Sequence, residues 1–391
     1  MDFTASPNVE RTRIAFREWL KSNLPDAQRW AHLQHQGPTP ERIAFLKDWQ
    51  HRLYDGGWIA VHFPAAYGGR NGSLVDHLVV HEEMVRAAAP PLINGPSISI
   101  FGPTLLVFGQ PEQKQRYLPK LLSAEEVWCL GFSEPNAGSD LASLRTRAVR
   151  DGDDWLISGQ KVWTTYANQA DHCMFLVRTD PTVAPHKGIS CFIVPLRSPG
   201  ITVRPLREIT GDTDFNEVFL DNVRVPAANV VGEVNQGWQV ILTALGHERG
   251  TLLLVDLVRR QGDMARLRDE IRRQGKTTDR LTRQHFAQFQ IEVEIMKLHG
   301  FKVMSDLEQG RPQSDVSILK LYGSEMVQRL DDYALNLQGP YAQLWRSTPR
   351  VIQEGGWQYS WLMARASTIA SGTSEVQRNI IAQRLLGLPR G

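Results

Sequence analysis

Cysteine is scarce: three residues in 391, Cys129, Cys173 and Cys191. They show neither CxxC nor metal-ligand spacing, so a disulfide scaffold and a structural metal site are not expected. An odd count fits thiols packed as small hydrophobes in a reducing compartment. No run of about 18 apolar residues occurs, so no helical membrane span is expected. The N-terminal MDFTASPNVERTRIAFREWL is charged and helix-like and lacks the apolar core of a secretion signal. The expected location is the cytoplasm. Neither charge sign dominates, the formal net charge being +2, so no basic field points to nucleic acid. No Walker loop or Ser–His–Asp pattern is visible, which leaves hydrolase and NTPase readings without support. His172, His186 and His247 do not form a metal set.

What is present falls into three blocks. Residues 1–125 carry apolar positions at helical spacing, as in RIAFLKDWQHRLYDGGW and LVDHLVVHEEMVRAAA, separated by Pro/Gly punctuation. Residues 126–235 hold short runs rich in Val, Ile, Phe and Trp with turns at close intervals, the pattern of an all-β unit. Residues 236–391 return to a period near 3.6 in long stretches. The expectation is an α+β multidomain chain: an all-α domain, a β-barrel or sandwich domain, and a C-terminal four-helix bundle.

Four segments carry chemistry. SEPNAGSD (Ser133–Asp140) is a small-residue loop able to bring backbone N–H groups and hydroxyls close to a planar or anionic ligand, or simply a polar turn. In GQKVWTTYA, strand alternation would place Trp163 and Thr165 on one face, a ring and a hydroxyl suited to an aromatic heterocycle, or a core Trp beside a strand Thr. In ARASTIASGTSEVQRN, Ser371–Ser374 followed by Glu375 read as a helix start. Its free N–H groups can hold phosphate or polarise a carbonyl oxygen.

The fourth segment is GWQVILTALGHERGTLLLVDLV. Trp238, Ile241, Leu245, Glu248, Leu252 and Val255 are spaced three, four, three, four and three apart, one stripe of a helix. Five of the six are apolar, and Glu248 stands in the middle. An unpaired carboxylate there would cost several kcal/mol, by roughly the usual desolvation scale, unless it is paired or functional. Pairing with an Arg or His of another helix is the structural alternative. Gly246 and Gly250 flank it, each weakening a helix interior by about 1 kcal/mol relative to Ala.

Taken in order, Tyr67–Gly69 (YGG), SEPNAGSDLASLRT, GQKVWTT, NEVFLDNVRVP, GWQVILTALGHER and GTSEVQRNIIAQRLLG resemble the acyl-CoA dehydrogenase family over nearly the whole chain. The resemblance implies an acyl-CoA dehydrogenase fold and FAD as cofactor. By position it assigns Leu130, Phe132, Ser133, Gly138 and Ser139 to the flavin loop, and Trp163, Thr164 and Thr165 to the isoalloxazine. It assigns Thr373, Ser374 and Glu375 to the adenylate half, and Arg283, Gln338 and Gly339, more weakly, to contacts from a partner subunit. Ser139 and Arg249 match positions that touch the acyl-CoA. A homodimer or homotetramer and an electron-transfer flavoprotein or similar acceptor are also implied.

The implied chemistry removes the α proton of a thioester while the β hydride leaves for flavin N5. Much of the family places its base directly before Gly-Thr-Ser. Here that residue is Ser371, which cannot serve as a general base at neutral pH. An isovaleryl-CoA-dehydrogenase-like group carries the glutamate in a Leu-x-x-Glu-Arg segment, which Leu245–Arg249 matches. Glu248 is therefore expected to take the proton, while Ser371 keeps a backbone N–H for the thioester oxygen. Asn136 stands where glycine is usual in the loop, and Gly246 where some relatives have aspartate. With Gly250, the latter leaves room for a bulky or branched acyl group. A carrier-protein thioester, a flavin monooxygenase or desulfinase on the same fold, and a non-catalytic partner subunit are the alternatives.

Overall fold

Hydroxyl, acid and proline residues set the helix starts of the first block. The computed structural model describes residues 6–34, 36–309, 316–346 and 348–389, without the side chains of 246–254, 256, 307 and 308. The first helices are α1 (Pro7–Asn23), α2 (Ala27–Leu33) and α3 (Pro40–Asp55). They are followed by α4 (Leu74–Arg86), α5 (Gly95–Phe108) and α6 (Pro111–Leu122). Ser6, Asp26 and Thr39 cap the first three, accepting from Val9 N, Arg29 N and Arg42 N. Proline in the first turn of α1, α3 and α6 fits positions that have no hydrogen bond to lose.

Strands follow: β1 (Trp128–Gly131), β2 (Arg147–Asp151), β3 (Asp154–Thr165), β4 (His172–Arg178), β5 (Ile189–Pro195), β6 (Ile201–Pro205), β7 (Phe215–Pro226) and β8 (Val230–Val231). They form one sheet in the order β6-β7-β3-β2-β4-β5-β8, with β1 parallel to β4. Val218 and Leu220 of β7 share a core with Phe192 and Val194 of β5 and Val230 of β8. Strands from opposite ends of the order meet in that core, so the sheet curls over its own apolar face. Cys129, Cys173 and Cys191 are free and buried there or beside it, as the sequence led one to expect.

Two buried amides tie the helices to β1. Gln50 of α3 donates to the Leu121 and Leu122 carbonyls, each at 2.9 Å. Its oxygen accepts from Asn94 N at 3.0 Å. Asn94 in turn donates to Leu121 O and Glu126 O and accepts from Trp128 N at 3.0 Å. Every polar atom of these amides is satisfied by backbone, so the start of β1 is held rigidly. Gly131, the last residue of β1, has no room for a side chain, since a Cβ there would lie 2.3 Å from the Phe175 ring.

The third block is helical: α7 (Gly237–Arg273), α8 (Arg280–Glu308), α9 (Val316–Leu337), α10 (Gly356–Ser367) and α11 (Ser374–Ile380). By contacts the chain divides into two compact units, 1–80 with 88–248, and 81–87 with 249–391. In the second unit Met264, Leu267, Val293, Met296, Met326, Leu330 and Trp357 are buried together. The succession of helices, curled sheet and helices is the expected fold class. No described helix is long and apolar enough to cross a membrane.

A buried acid sits in the second unit. Asp331 of α9 is fully buried and accepts from Ser360 Oγ of α10 at 2.9 Å. Its other oxygen has no partner among the described residues. Burial, with the charge of Asp263 added, pushes its carboxyl up to about 7, against the pull of Ser360, Arg260 and Arg266. In the unfolded chain an aspartate titrates near ~3.9. Between these values the folded state holds a proton that the unfolded state has lost. Each pH unit across that window therefore removes about 1.4 kcal/mol of stability. Thermal melts are expected to fall from pH 4 to 7 and to level off above it. Asp331→Asn, which keeps an oxygen for Ser360, should flatten this slope. An identical slope in the variant would assign the dependence to other groups.

Candidate functional site

In the first unit the SEPNAGSD loop is built from backbone pairs. Glu134 N donates to Ala137 O and Ala137 N to Glu134 O, both at 3.0 Å, closing a tight turn with Pro135 and Asn136 at its tip. Asn136 is not among the residues with positive φ, so the turn does not require the glycine that is usual in relatives. Gly138 and Ser139 are exposed, and a Cβ on Gly138 would meet nothing within 4 Å. Leu130, Phe132 and Ser133 are half-buried where β1 runs into the loop.

The loop is fastened to the end of β3 by a buried ion pair. Val162 N donates to Ser133 O at 3.0 Å. Lys161, fully buried, sends Nζ to Glu134 Oε1 at 2.8 Å and to Phe132 O at 3.1 Å. The Glu134 carboxylate also accepts from Arg145 N at 2.7 Å and Thr146 N at 2.8 Å. Burial pushes the Glu134 carboxyl up. The Lys161 charge and hydrogen bond, with the Thr146 and Arg145 donors, outweigh that and hold it below the usual carboxylate range. Burial pulls Lys161 down to about 8, which Glu134 opposes. Neither residue stands out in sequence, since a Lys in a strand and a Glu in a polar loop read as solvated. The burial pattern of β3, with Lys161 and Val162 both inward, comes only from the fold.

Strand alternation is interrupted just before Trp163, where Lys161 and Val162 are both buried, and resumes with Trp163 exposed, Thr164 buried and Thr165 half-buried. Pairing runs Lys161↔Val218 and then Thr164↔Asn216, so β3 holds one residue more than β7. The bulge carries Trp163 at φ 60°. Bulges re-aim side chains in this way. The indole is 61 % exposed, its edge against Phe215 with ring centres 6.0 Å apart. Thr164 is fully buried, its carbonyl accepting from Asn216 Nδ2 at 3.0 Å, while its Oγ1 has no partner among the described residues. Thr165 is half-buried. An indole turned outward, hydroxyls and an open glycine loop are thus brought together at one end of β3. That set suits a planar heterocycle with a polar edge.

In the second unit Thr373 caps α11, accepting from Val376 N at 3.2 Å, which is the expected helix start. Ser374 is buried. Glu375 is exposed in the first turn, held below the usual carboxylate range by its own N–H and the Thr373 hydroxyl. Ser371 and Gly372 precede the cap with φ 56° and 90°. Gln377 Nε2 donates to Ser371 O at 3.0 Å, and the buried Lys320 donates to Gly372 O at 2.6 Å. The turn's carbonyls are therefore held inside the unit. Ser371→Gly should keep this left-handed backbone with full activity, whereas Ser371→Pro demands φ near −65° and removes the N–H. A loss of about tenfold or more in turnover is expected for the proline variant alone, which steady-state assay of the pair would check.

Arg283 is exposed in the first turn of α8. Gln338 is buried just after α9, its oxygen accepting from Gln358 Nε2 at 3.0 Å and its own Nε2 without a partner among the described residues. Gly339 follows, exposed, at φ 56°. Glu248 and Arg249 fall on α7, but their side chains, with Gly246 and Gly250, lie outside the described residues. Ile241 and Val255, on the same stripe to either side of Glu248, are buried. No group of His, Cys, Asp and Glu among the described residues could hold a metal ion.

Comparison with known proteins covers the same three blocks. Residues 6–125, 129–223 and 235–386 match the N-terminal, middle and C-terminal domain models of acyl-CoA dehydrogenase. The chain is 38 % identical to "Acyl-CoA dehydrogenase IpdE1" of Mycolicibacterium smegmatis over 98 % of each. It is 33 % identical to "Acyl-CoA dehydrogenase FadE26" of Mycobacterium tuberculosis over 100 % of this chain and 99 % of that one. Among solved structures it resembles the "Tcur3481-Tcur3483 steroid ACAD", with TM-score 0.89, 32 % identity and 100 % of each chain covered. It also resembles the ChsE4-ChsE5 complex from Mycobacterium tuberculosis, with TM-score 0.87, 30 % identity and 100 % of each chain covered.

Proposed function

The chain belongs to the acyl-CoA dehydrogenase family, and from that premise we propose that it desaturates a steroid-derived acyl-CoA at the α,β bond, with Glu248 as the base. The substrate class is carried by full-length similarity, at 32 % identity, to a structure named as a steroid enzyme. Glycine at 246 and 250, on either side of Glu248, is the composition expected where a fused-ring acyl group needs room.

Residues of each unit, taken separately, suit parts of FAD. The outward indole of Trp163, the open Gly138–Ser139 segment and the loop pinned by Lys161 would hold the flavin end, with Leu130, Phe132, Ser133, Thr164 and Thr165. The buried Ser374 Oγ, unpartnered among the described residues, fits a polar group of the adenylate half beside Thr373 and Glu375, while Gln338, past the other end of α9, would act with Gly339 and Arg283 as a contact made from a partner subunit. Bound FAD supplies the acceptor for the β hydride.

Glu248 takes the α proton. A carboxylate is a suitable general base for the α C–H of a thioester. The backbone N–H of Ser371 donates to the thioester oxygen as charge develops on it. Ser371 itself brings no base, which is why the proton has to go elsewhere. Ser139 and Arg249 hold the acyl-CoA, and an electron-transfer flavoprotein or similar partner reoxidises the enzyme. Anaerobic mixing with a panel of steroid, branched and straight-chain acyl-CoAs tests the reading. Steroid thioesters should bleach the flavin fastest, and full-rate bleaching by straight short chains alone would reject the substrate class.

A second reading concerns assembly. One similar structure is named as a complex of two proteins and the other carries a paired name. This favours an oligomer of this chain with a different homologous chain over a homodimer or homotetramer. Mass measurement after expression alone and with neighbouring family members distinguishes them. A chain that is colourless alone and does not take up FAD, but gains it with a partner, would support the hetero-oligomer.

A further inference from the structure

Two residues near the end of β3 are left-handed although neither is glycine: Trp163 at φ 60° and Tyr166 at φ 58°. That region is unfavourable for side chains of this size and persists only where the surroundings enforce it. Thr164 and Thr165 lie between them, so the segment set against the flavin ring is also the segment under strain. The strand ladder is at its thinnest here. Regular pairing with β7 stops at Lys161↔Val218, and past the bulge only Thr164↔Asn216 and Thr165↔Phe215 follow.

One side chain reinforces this stretch. Asn216, the second residue of β7, is fully buried. Its Nδ2 donates to Thr164 O at 3.0 Å and to Asp214 O at 3.2 Å. Asp214 O also accepts from Tyr166 N at 2.7 Å. A single amide therefore fixes the peptide between Thr164 and Thr165 and, through the shared Asp214 carbonyl, the backbone of Tyr166. Two carbonyl oxygens facing the side chain allow it one orientation, since its own oxygen turned toward them would meet two acceptors. Among residues of this size only asparagine offers two N–H donors without a charge.

We infer that Asn216 is a positioning residue for the redox step: it sets where Trp163 and Thr165 stand, and through them where the flavin ring lies when FAD is bound. This rests on the FAD-dependent reading above and deepens it. Buried with Thr164 on the inner side of the strand pair, Asn216 acts through the backbone of its neighbours. Its leverage comes from the reaction itself. Transfer between two bound groups is sensitive to placement, and a shift of about 1 Å costs about a hundredfold in rate.

Three variants of the FAD-loaded protein test this. Asn216→Leu has nearly the same volume and removes both donors. Asn216→Asp keeps the shape but turns a carboxylate toward the two carbonyls. Val223→Ala hollows the core further along the same strand, where Val223 is fully buried opposite Ile157, and so lowers stability away from the segment. Hydrogen exchange of the backbone at 164–166 is expected to quicken about tenfold or more in both Asn216 variants. Their visible flavin spectrum should shift. Bleaching at saturating acyl-CoA should slow about tenfold or more, while half-saturation stays within about twofold. Val223→Ala should melt lower yet match the wild type in exchange at 164–166, spectrum and bleaching. Asn216 variants that melt lower but match the wild type in spectrum and bleaching would overturn the inference, leaving Asn216 as a support for the fold alone. Asn216→Ser, which keeps one donor and leaves a smaller lesion, gives the same readouts where the larger changes prevent folding. An unaltered spectrum and bleaching rate there would equally reject the role. A wild type that holds FAD but is bleached by no acyl-CoA rejects the dehydrogenation reading alone, because exchange and the flavin spectrum still report on Asn216.

Discussion

Glu248→Gln is expected to keep FAD and lose flavin bleaching by about 10²–10⁴-fold, the range for removal of a positioned general base. Glutamine has nearly the same volume and cannot take a proton, so packing on the α7 stripe is preserved while the chemistry is not. Ser371→Glu, which moves a carboxylate to the position used by much of the family, is the informative companion. Combined with Glu248→Gln it measures whether a second site can reach the same proton. Bleaching at the wild-type rate in Glu248→Gln would move the base to another residue. The same variant should retain acyl-CoA binding, seen as a spectral perturbation of the flavin without reduction.

The second large effect is expected at Lys161. Its Nζ is fully buried and holds both Phe132 O and Glu134. Lys161→Met leaves the Glu134 carboxylate buried without its cation. Breaking such a pair from one side costs about 3–5 kcal/mol. The Phe132–Ala137 turn loses its anchor to β3 at the same time, so FAD should dissociate at least about tenfold more readily, as read by flavin fluorescence on dilution. Glu134→Gln/Lys161→Met removes both charges, and the amide oxygen that replaces the carboxylate can still accept from a backbone N–H. The double variant should recover much of the melting temperature, because replacing both members of a buried pair is far less costly than removing one. Recovery of stability without recovery of FAD affinity would show that the ion pair orients the loop as well as supporting it. A single variant with unaltered melting and flavin retention would refute both effects.

Much of this was legible in the linear sequence, for local reasons. The helix start at Thr373 follows from hydroxyls that cap free N–H groups. The change from a period of 3.6 to short β-rich runs and back marks the fold class, because periodicity records which face is buried. The replacement of a family glutamate by Ser371, and the presence of Glu248 on an apolar stripe, are readable without coordinates.

Other features required tertiary structure, because they depend on partners far apart in the chain. Lys161 meets Glu134 across 27 residues, and neither residue type announces burial. The bulge at Trp163 is a mismatch of count between β3 and β7, invisible to alternation within β3 alone. Asn136 fits its turn because the backbone there does not enter the left-handed region, which a family glycine would not have revealed. Asn216 reads in sequence as one more polar strand residue. It becomes the anchor of the segment from Trp163 to Tyr166 only because β7 lies beside β3. The sequence by itself determined the family, the periodicities and the residue chemistry available, since these are local. The fold decided which of those charges face one another, because long-range pairing sets distance and burial, and these set the energy of a charge.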